Sequence, residues 1–289
     1  MGGGLKDDKS SVETISRSNY RGRDRENMTG NKSTISKLAR PINVALNAAG
    51  FQISRLKARA EPLAHLSDQP AWILQIIERV TPYTMTSPER LASLCQAVSY
   101  ICKNDIRGDV VECGVWKGGS MMAAALALMH FGDTERSLFL FDTFDGMSEP
   151  TDADVLSSTK EKADSLLKLS KKQDAVWAFS PIEEVSTNLR SLGYSMNKVV
   201  LIKGKVEDTI PYGFPRQIAL LRLDTDWYES TKHELKYLYP LLATKGPLII
   251  DDYGHWEGAR RAVDEYIEAE RLPLLLNRID YTGRIAIKP

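Results

Sequence analysis

The 289-residue sequence predicts an α/β fold, a Rossmann-like, doubly wound and mostly parallel sheet that ends in an antiparallel hairpin. Three observations predict this fold. Short apolar segments of strand length alternate with segments of helical period from about residue 71 to residue 269. These strands read as continuous apolar runs, which is typical of a parallel sheet covered on both faces. Two last strand-like segments, 274–279 and 284–287, flank a Tyr-Thr-Gly turn, which indicates a hairpin.

The predicted elements follow one another in a regular order. Two helices come first, at 71–80 and 88–103, and Ser87 is placed to cap the second one. The pattern then predicts five parallel strands, at 109–113, 137–141, 199–202, 218–223 and 247–250. Between and after these strands it predicts helices at 120–131, 182–192, 229–242 and 258–269. One polar stretch, 143–180, is long enough to form a lid over a site.

Composition narrows the class of protein. With 43% hydrophobic and 26% charged residues, the chain is long enough for one ample core and is not a wholly disordered protein. No segment approaches the roughly 18 apolar residues that a membrane span needs. The N-terminus lacks an apolar signal-peptide core, and the three cysteines have no metal or redox spacing. We therefore expect a cytoplasmic protein.

The charges are balanced over the chain but unevenly placed along it. There are 38 basic and 38 acidic residues, so the overall charge gives no indication of a nucleic-acid partner. Residues 1–60 hold 12 basic and 5 acidic residues and are rich in Gly, Ser and Asn. We predict that 1–60 is a basic, partly disordered extension and that 61–289 is the folded domain.

A glycine-containing turn follows the first strand, in the sequence Glu112-Cys-Gly-Val-Trp-Lys-Gly-Gly-Ser. Gly114 permits a sharp turn, and the later glycine pair lets a ligand approach the start of a helix. Trp116 stands where a dinucleotide-binding fingerprint has its second glycine, and Glu112 would repel a pyrophosphate. The turn therefore favours a cationic or zwitterionic ligand, although a plain packing turn is the alternative.

Two further strand ends indicate a nucleoside. Asp142 ends the second strand, 23 residues after Gly119, where an acid can accept both ribose hydroxyls; a loop or capping carboxylate is the alternative. After the third strand, the Val206 backbone and the side chain of Glu207 or Asp208 could meet the edge of a base, unless these acids only begin a helix.

Four carboxylates follow the fourth and fifth strands. Asp224 and Asp226 end one strand, and Asp251 and Asp252 end the next. So many like charges in one crevice are costly unless a cation neutralises them, although caps and salt bridges could explain one pair. Oxygen ligands favour a hard metal such as Mg²⁺, Mn²⁺ or Ca²⁺. His255 follows closely and could have a catalytic, substrate-binding or merely packing role.

Together these motifs resemble the macrocin O-methyltransferase (TylF-type) family of class I S-adenosylmethionine-dependent methyltransferases. The resemblance extends from about residue 81 to residue 266. It rests on six ordered segments, at 83–91, 111–120, 141–147, 206–211, 223–231 and 250–254. One departure is Thr225, which stands where the family more often has glycine between two aspartates.

The resemblance implies a metal-dependent O-methyltransferase (EC 2.1.1) that moves a methyl group from S-adenosyl-L-methionine to a hydroxyl of a sugar or natural-product acceptor. It implies Mg²⁺ or another hard divalent cation, held by Asp224, Asp251 and Asp252. Matching motifs imply that Met85 and Ser87 border the methionine end of the cofactor. The remaining expected cofactor residues are Glu112, Gly114, Ser120, Asp142, Val206 and Glu207.

The expected chemistry is in-line attack of an activated hydroxyl on the sulfonium methyl, with Asp224 and His255 as candidate bases. We expect a glycosylated small-molecule acceptor and a homo-oligomer. Two alternatives stay open. An NAD-type oxidoreductase would also use Asp142, but it needs a turn that tolerates pyrophosphate and leaves the other carboxylates unexplained. A non-enzymatic nucleoside-binding protein would not need the carboxylate cluster at all.

Overall fold

The structure is a computed structural model that describes residues 63–172, 174–210 and 215–289. Residues 61–289 form one compact unit. The prediction made for residues 1–60 lies outside the described residues. Among those described, no helix is long and apolar enough to cross a membrane.

Seven strands form one sheet in the spatial order β3-β2-β1-β4-β5-β7-β6. The first five strands in sequence run parallel to one another, and β7 runs antiparallel to both of its neighbours. The strand order reverses between β1 and β4, so the sheet is doubly wound, as predicted. The strands are β1 Asp109–Cys113, β2 Leu138–Asp142, β3 Val199–Lys203, β4 Ile218–Leu223, β5 Pro247–Ile250, β6 Asn277–Arg278 and β7 Arg284–Ile287.

Eight α-helices in the described residues surround this sheet. They are α1 Ala71–Val80, α2 Pro88–Lys103, α3 Gly119–His130, α4 Ala163–Leu169, α5 Ile182–Arg190, α6 Val206–Thr209, α7 Tyr228–Leu238 and α8 Glu257–Ala269. The predicted helix 229–242 ends early, because Pro240 has no N–H and the chain continues as a 3₁₀ turn, Tyr239–Leu241.

Alternating side chains of the strands enter two apolar layers. Val110 of β1 and Leu220 of β4 belong to the layer beneath α1, α2, α3 and α5. Their neighbours Val111 and Leu221 belong to the opposite layer, beneath α7 and α8. Both faces of the central strands are therefore buried, which explains why these strands read as continuous apolar segments.

The C-terminal hairpin is shorter than predicted. Of the predicted strand 274–279, only β6 joins the ladder, and it pairs with β7, which lies between β6 and β5. Leu274 and Leu276 instead pack against the apolar layer beneath α7 and α8. Their burial competes with strand pairing and restricts β6 to two residues.

The polar stretch 143–180, called the wall segment below, is a packed part of the fold. It contains α4 and a 3₁₀ turn, Ala175–Trp177. Ala163 and Leu167 form a third apolar cluster with Trp227 and Trp256 of the loops after β4 and β5. The segment predicted to form a lid is packed against other elements of the fold in this structure.

Candidate functional site

A cavity of about 380 Å³ opens at the carboxyl ends of the parallel strands. Wall-segment residues, including Met147, Ser148 and Val176, form one side of it. Ten of the predicted site residues line it: Met85, Gly114, Ser120, Asp142, Val206, Glu207, Asp224, Asp251, Asp252 and His255. Two predicted cofactor residues, Ser87 and Glu112, do not line the cavity.

The glycine turn after β1 lies directly against the loop after β4. Gly114 has a φ of +81°, and a Cβ on it would lie 1.9 Å from the backbone oxygen of Asp224. Gly119 has similarly little space, since a Cβ there would lie 2.4 Å from the backbone oxygen of Tyr83. The backbone at each of these glycines therefore packs directly against the backbone of another loop. A side chain at either glycine would prevent that contact.

Asp142 holds this turn in place. Its Oδ2 accepts hydrogen bonds from the backbone N–H groups of Val115 (2.6 Å) and Trp116 (3.2 Å). Its Oδ1 accepts from the N–H of Phe144 (2.7 Å). Burial raises the pKa of Asp142, and the three backbone hydrogen bonds oppose that rise. The carboxylate thus organises the turn as well as lining the cavity.

Arg222 is the central residue that sequence reasoning missed. Its guanidinium is buried, with 3% of the side chain exposed. Nη1 donates to Glu112 and, at 2.7 Å, to Asp224. Nη2 donates to Asp251 at 2.5 Å and to the Thr86 hydroxyl at 3.0 Å. An arginine inside the apolar strand Ile-Ala-Leu-Leu-Arg-Leu was the available signal, because a buried charge requires partners.

A second arginine, Arg90 of α2, was also missed. It donates through Nη1 to Asp251 and through Nε to Asp280 of the hairpin turn, the latter at 3.0 Å. Ser87 belongs to this group, because its hydroxyl donates to Asp280 (2.7 Å) and caps α2 by accepting from the Arg90 N–H (3.2 Å). The N-cap prediction is confirmed, and the hydroxyl faces the hairpin turn.

Glu112 lies behind the cavity lining, with 1% of the residue exposed. Its Oε1 accepts from Arg222, whereas its buried Oε2 has no hydrogen-bond partner among the described residues. Burial raises the pKa of Glu112 to about 8, although Arg222 opposes the rise. An orphaned buried carboxylate oxygen fits either a proton or a cationic group of a ligand.

Three of the carboxylates converge as predicted. Asp224, Asp251 and Asp252 each offer one oxygen, and these oxygens lie within 4.8 Å of one another. Arg222 and Arg90 hold two of these acids, so guanidinium groups supply part of the positive charge that the sequence led us to expect from a cation alone.

The charges of the two arginines do not balance the acids around them. Six acids stand against two guanidinium groups, namely Glu112, Asp224, Asp226, Asp251, Asp252 and Asp280. If all six were ionised, four negative charges would be left over. Burial raises the pKa of Asp226 to about 7 and that of Asp252 well above its usual value. Protons on these acids offset part of the excess in the metal-free protein, and the converging oxygen donors fit a hard divalent cation that would take their place.

Asp226, expected among the strand-end carboxylates but not among the metal ligands, also lines the cavity. Its Oδ1 accepts from the Trp256 indole N–H at 2.6 Å, and its backbone N–H donates to Asp252 at 3.3 Å. Its φ of +67° is strained for a non-glycine residue, and such strain is often found at functional sites. The position two residues after Asp224 was the signal.

His255 lines the cavity beside Tyr281, whose hydroxyl lies 3.2 Å from His255 Nδ1. Burial and the nearby Arg90 lower the pKa of His255. The imidazole is therefore neutral at pH 7 and able to accept a proton.

Comparison with known proteins agrees with this geometry. The macrocin O-methyltransferase (TylF) family model matches residues 68–286. The chain is 33% identical over 201 residues to 8-demethyl-8-(2,3-dimethoxy-alpha-L-rhamnosyl)-tetracenomycin-C 4'-O-methyltransferase of Streptomyces olivaceus, which covers 70% of this chain and 74% of that protein. It is 30% identical over 201 residues to mycinamicin III 3''-O-methyltransferase of Micromonospora griseorubida, covering 70% and 76% respectively.

Among solved structures, the O-methyltransferase NovP is similar with a TM-score of 0.62 and 31% identity, covering 71% of this chain and 82% of that one. Strand order, glycine turn and acidic strand ends thus agree with the family match. The chain belongs to the macrocin O-methyltransferase family and is an O-methyltransferase with the class I methyltransferase fold.

Proposed function

We propose that the protein transfers a methyl group from S-adenosylmethionine to a hydroxyl on a sugar of a natural product, and that a divalent cation such as Mg²⁺ takes part. The observation that carries this proposal is the convergence of Asp224, Asp251 and Asp252 within 4.8 Å. They line the same cavity as Asp142 and the glycine turn, so a cation and a nucleoside cofactor would bind side by side.

The cofactor would lie along the ends of β1, β2 and β3. Asp142 is placed for the ribose, and Val206 with Glu207 for the adenine. Ser120 and Met85 would border the methionine portion. The unpartnered Glu112 Oε2 has the charge that suits its ammonium group, but it lies behind the cavity lining, so a contact requires that lining to shift. The proposal that Ser87 contacts the cofactor is set aside, because its hydroxyl already serves Asp280 and the α2 cap.

The glycine turn argues against a dinucleotide. In dinucleotide-binding proteins the pyrophosphate takes hydrogen bonds from this turn and the helix after it. Here the N–H groups of Val115 and Trp116 already donate to Asp142. An NAD-type oxidoreductase is therefore the weaker candidate. A purely nucleoside-binding protein would have no need for the three converging carboxylates.

Asp224, Asp251 and Asp252 would hold the cation, oriented by Arg222 and Arg90. When bound, it would supply Lewis-acid chemistry, namely a lower pKa for the acceptor hydroxyl. The chain's own contribution is to hold that hydroxyl in line with the sulfonium methyl and to exclude water through the wall segment.

A cavity residue must also accept the hydroxyl proton. Asp224 is poorly suited, because Arg222 donates to its Oδ2. Asp226 and His255 both line the cavity, and each is held in orientation, Asp226 by Trp256 and His255 by Tyr281. Asp226 is the better candidate, since its carboxylate directly adjoins the proposed metal ligands.

The names of the relatives favour a glycosylated acceptor, since one is a mycinamicin III 3''-O-methyltransferase and the other acts on a rhamnosyl-tetracenomycin. We further propose a cytoplasmic homo-oligomer whose catalytic domain spans residues 61–289, with 1–60 as a separate basic extension.

Titration calorimetry tests the function. S-adenosylhomocysteine should bind and NAD should not. Labelled S-adenosylmethionine, offered with mycinamicin III and related glycosides as probes, should then lose its methyl group to one of them only when Mg²⁺ is present. Binding of NAD in preference to S-adenosylhomocysteine would favour the oxidoreductase, and full transfer in EDTA would remove the metal from the proposal.

A further inference from the structure

We propose that Asp154 is a positioning residue for methyl transfer: its carboxylate fixes the wall segment against the loop that carries Asp224 and Asp226. This inference rests on the proposed function, because it assigns the wall segment to the acceptor side of the cavity. Asp154 does not line the cavity, so it would act through the residues that it holds.

The Asp154 carboxylate is fully buried, and both of its oxygens are used. Oδ1 accepts from the backbone N–H of Tyr228 at 2.7 Å. Oδ2 accepts from the backbone N–H and the hydroxyl of Thr151, at 2.7 and 2.9 Å. No cation pairs with this carboxylate among the described residues, so its three donors offset the cost of its burial and hold it in one position.

The contact with Tyr228 joins the wall segment to the loop after β4, which carries Asp224 and Asp226. Tyr228 is the first residue of α7, two residues after Asp226, and an anion at a helix N-terminus is favoured by the helix dipole. Any shift of Asp154 therefore changes where α7 begins, and with it the course of the chain at Asp226 and Trp227.

The fit around Asp154 leaves little freedom. Gly258 of α8 lies so close that a Cβ on it would be 2.0 Å from Asp154 Oδ1. The carboxylate is thus enclosed between the wall segment and the starts of α7 and α8, which follow the loops after β4 and β5.

Other hydrogen bonds near Asp154 also join the wall segment to the chain at the starts of α7 and α8. The Trp227 indole N–H donates to the backbone carbonyl oxygen of Ser148 at 3.1 Å. The backbone N–H of Glu257 donates to the Val155 oxygen at 3.0 Å, and that of Ser157 to the His255 oxygen at 2.9 Å. The wall segment is therefore hydrogen-bonded to the loops after both β4 and β5. Most of these hydrogen bonds join backbone groups, and Asp154 adds a buried side-chain carboxylate to them.

The consequence concerns the acceptor more than the cofactor. Met147, Ser148 and Val176 bring the wall segment to the cavity. Asp154 itself contacts the starts of α7 and α8, after the strands that carry the proposed metal ligands, and makes no contact with Asp142 or Ser120 among the hydrogen bonds of the described residues. Loosening Asp154 should displace the acceptor relative to Asp226. Misplacement of about 1 Å can cost up to about a hundredfold in rate.

The test compares Asp154→Asn with Asp152→Asn, a control two residues away whose exposed carboxylate pairs with Lys162. In Asp154→Asn the amide oxygen can still accept from Tyr228, but the amide NH₂ group then faces the Thr151 N–H. We measure S-adenosylhomocysteine affinity, kcat and KM for an acceptor that the wild type methylates, and amide hydrogen exchange of residues 148–157 and 227–228.

Asp154→Asn should leave cofactor affinity within about twofold, lower kcat at least about tenfold, raise acceptor KM less, and speed exchange in both stretches. The control should match the wild type. A folded Asp154→Asn with a lower Tm but unchanged KM, kcat and exchange would overturn the proposal and leave Asp154 a structural residue.

Two further arms keep the outcome decisive. If Asp154→Asn does not fold, Thr151→Val replaces it, because this substitution removes one donor to Oδ2. It should shift kcat, KM and hydrogen exchange in the same direction by a smaller amount. Unchanged kcat, KM and exchange in Thr151→Val would overturn the proposal. If the wild type methylates no probe, the proposed function fails separately, and unchanged hydrogen exchange in the S-adenosylhomocysteine complex of Asp154→Asn would still overturn the positioning role.

Discussion

Asp142 combines ligand recognition with local structure, and its removal should reveal both. Asp142→Ala deletes the proposed ribose acceptor, so S-adenosylhomocysteine affinity should fall by roughly 1.5–3 kcal/mol, the range for hydrogen bonds to a charged group. It also leaves the N–H groups of Val115 and Trp116 without their acceptor, so the Tm should fall too. Calorimetry and thermal melting of the variant check both parts, and unchanged affinity in a folded variant would contradict the ribose assignment.

Glu234 should make stability depend on pH. It is fully buried on α7, and its Oε1 accepts from the Thr225 hydroxyl at 2.9 Å. Burial raises its pKa well above the usual value, helped by Glu207 and Asp224. Because the folded pKa lies above the unfolded one, the stability that neutral Glu234 provides is complete below the unfolded pKa and is lost as the pH rises toward the folded pKa.

Glu234→Gln removes this titration while keeping the side chain's shape. The Tm of the variant relative to the wild type should therefore increase between pH 5 and pH 9. The difference in free energy of unfolding should grow by at most about 1.4 kcal/mol per pH unit, the value for one proton. Parallel Tm curves for the two proteins over this range would show that Glu234 does not carry the effect.

At the residue scale, the sequence predicted the acids better than their partners. Asp224, Asp251 and Asp252 were predictable because the carboxyl ends of parallel strands meet at one edge of the sheet. Arg222 was not, since its partners Thr86 and Asp251 lie 136 and 29 residues away, and only the fold brings them together. The same applies to Ser87, whose partner Asp280 is 193 residues away.

At the scale of elements, the glycine turn after β1 should be intolerant of a side chain for a reason beyond its φ angle. Gly114 and Gly132 both have positive φ, +81° and +71°. A Cβ on Gly132 would meet nothing within 4 Å, whereas one on Gly114 would collide with the backbone of Asp224. Gly132→Ala is therefore a matched control that carries only the cost of the backbone conformation.

Gly132→Ala should cost about 1–2 kcal/mol of stability and leave ligand binding unchanged. Gly114→Ala should cost more and should also weaken S-adenosylhomocysteine binding, because it pushes apart the loops after β1 and β4. Thermal melting and calorimetry of the pair give the comparison. Equal losses of stability and of S-adenosylhomocysteine affinity in the two variants would mean that the contact between the glycine turn and the loop after β4 does not shape the site.

The elements that could be predicted are those with a local signal. The five parallel strands lie within one residue of their predicted bounds, because each is an apolar run between polar turns. The wall segment carried no such signal, since its helix α4 is stabilised by Trp227 and Trp256 from distant loops. β6 was overpredicted because Leu274 and Leu276 have strand-like character but pack into the apolar layer.

At the scale of the whole molecule, the cavity-lining residues within the described ranges lie between positions 84 and 282. We therefore predict that a chain beginning at residue 61 binds S-adenosylhomocysteine with the same dissociation constant as the full chain. Calorimetry on both proteins, after thermal melting has established that the shorter one folds, makes the comparison. Weaker binding by a folded shorter chain would assign part of the site to residues 1–60.

The carboxylate cluster bears most directly on the proposed reaction, and Asp252 is its most informative member. Asp224 and Asp251 are paired with Arg222, so an asparagine substitution at either position leaves a buried guanidinium without a charged partner; it should cost about 3–5 kcal/mol of stability at buried Asp251 and less at Asp224, which is a quarter exposed. Asp252 accepts a backbone N–H in the described structure instead of an arginine. Asp252→Asn should therefore lower like-charge repulsion without unfolding the protein.

The most direct measurement is a calorimetric titration of Mg²⁺ into the S-adenosylhomocysteine complex, for the wild type and Asp252→Asn. The wild type should show one saturable site, and the variant should lose at least about tenfold in Mg²⁺ affinity. Its metal-free Tm should be equal or higher, and its S-adenosylhomocysteine affinity unchanged. Absence of Mg²⁺ binding by the wild type, or equal affinity in a folded variant, would contradict a metal centre at these strand ends.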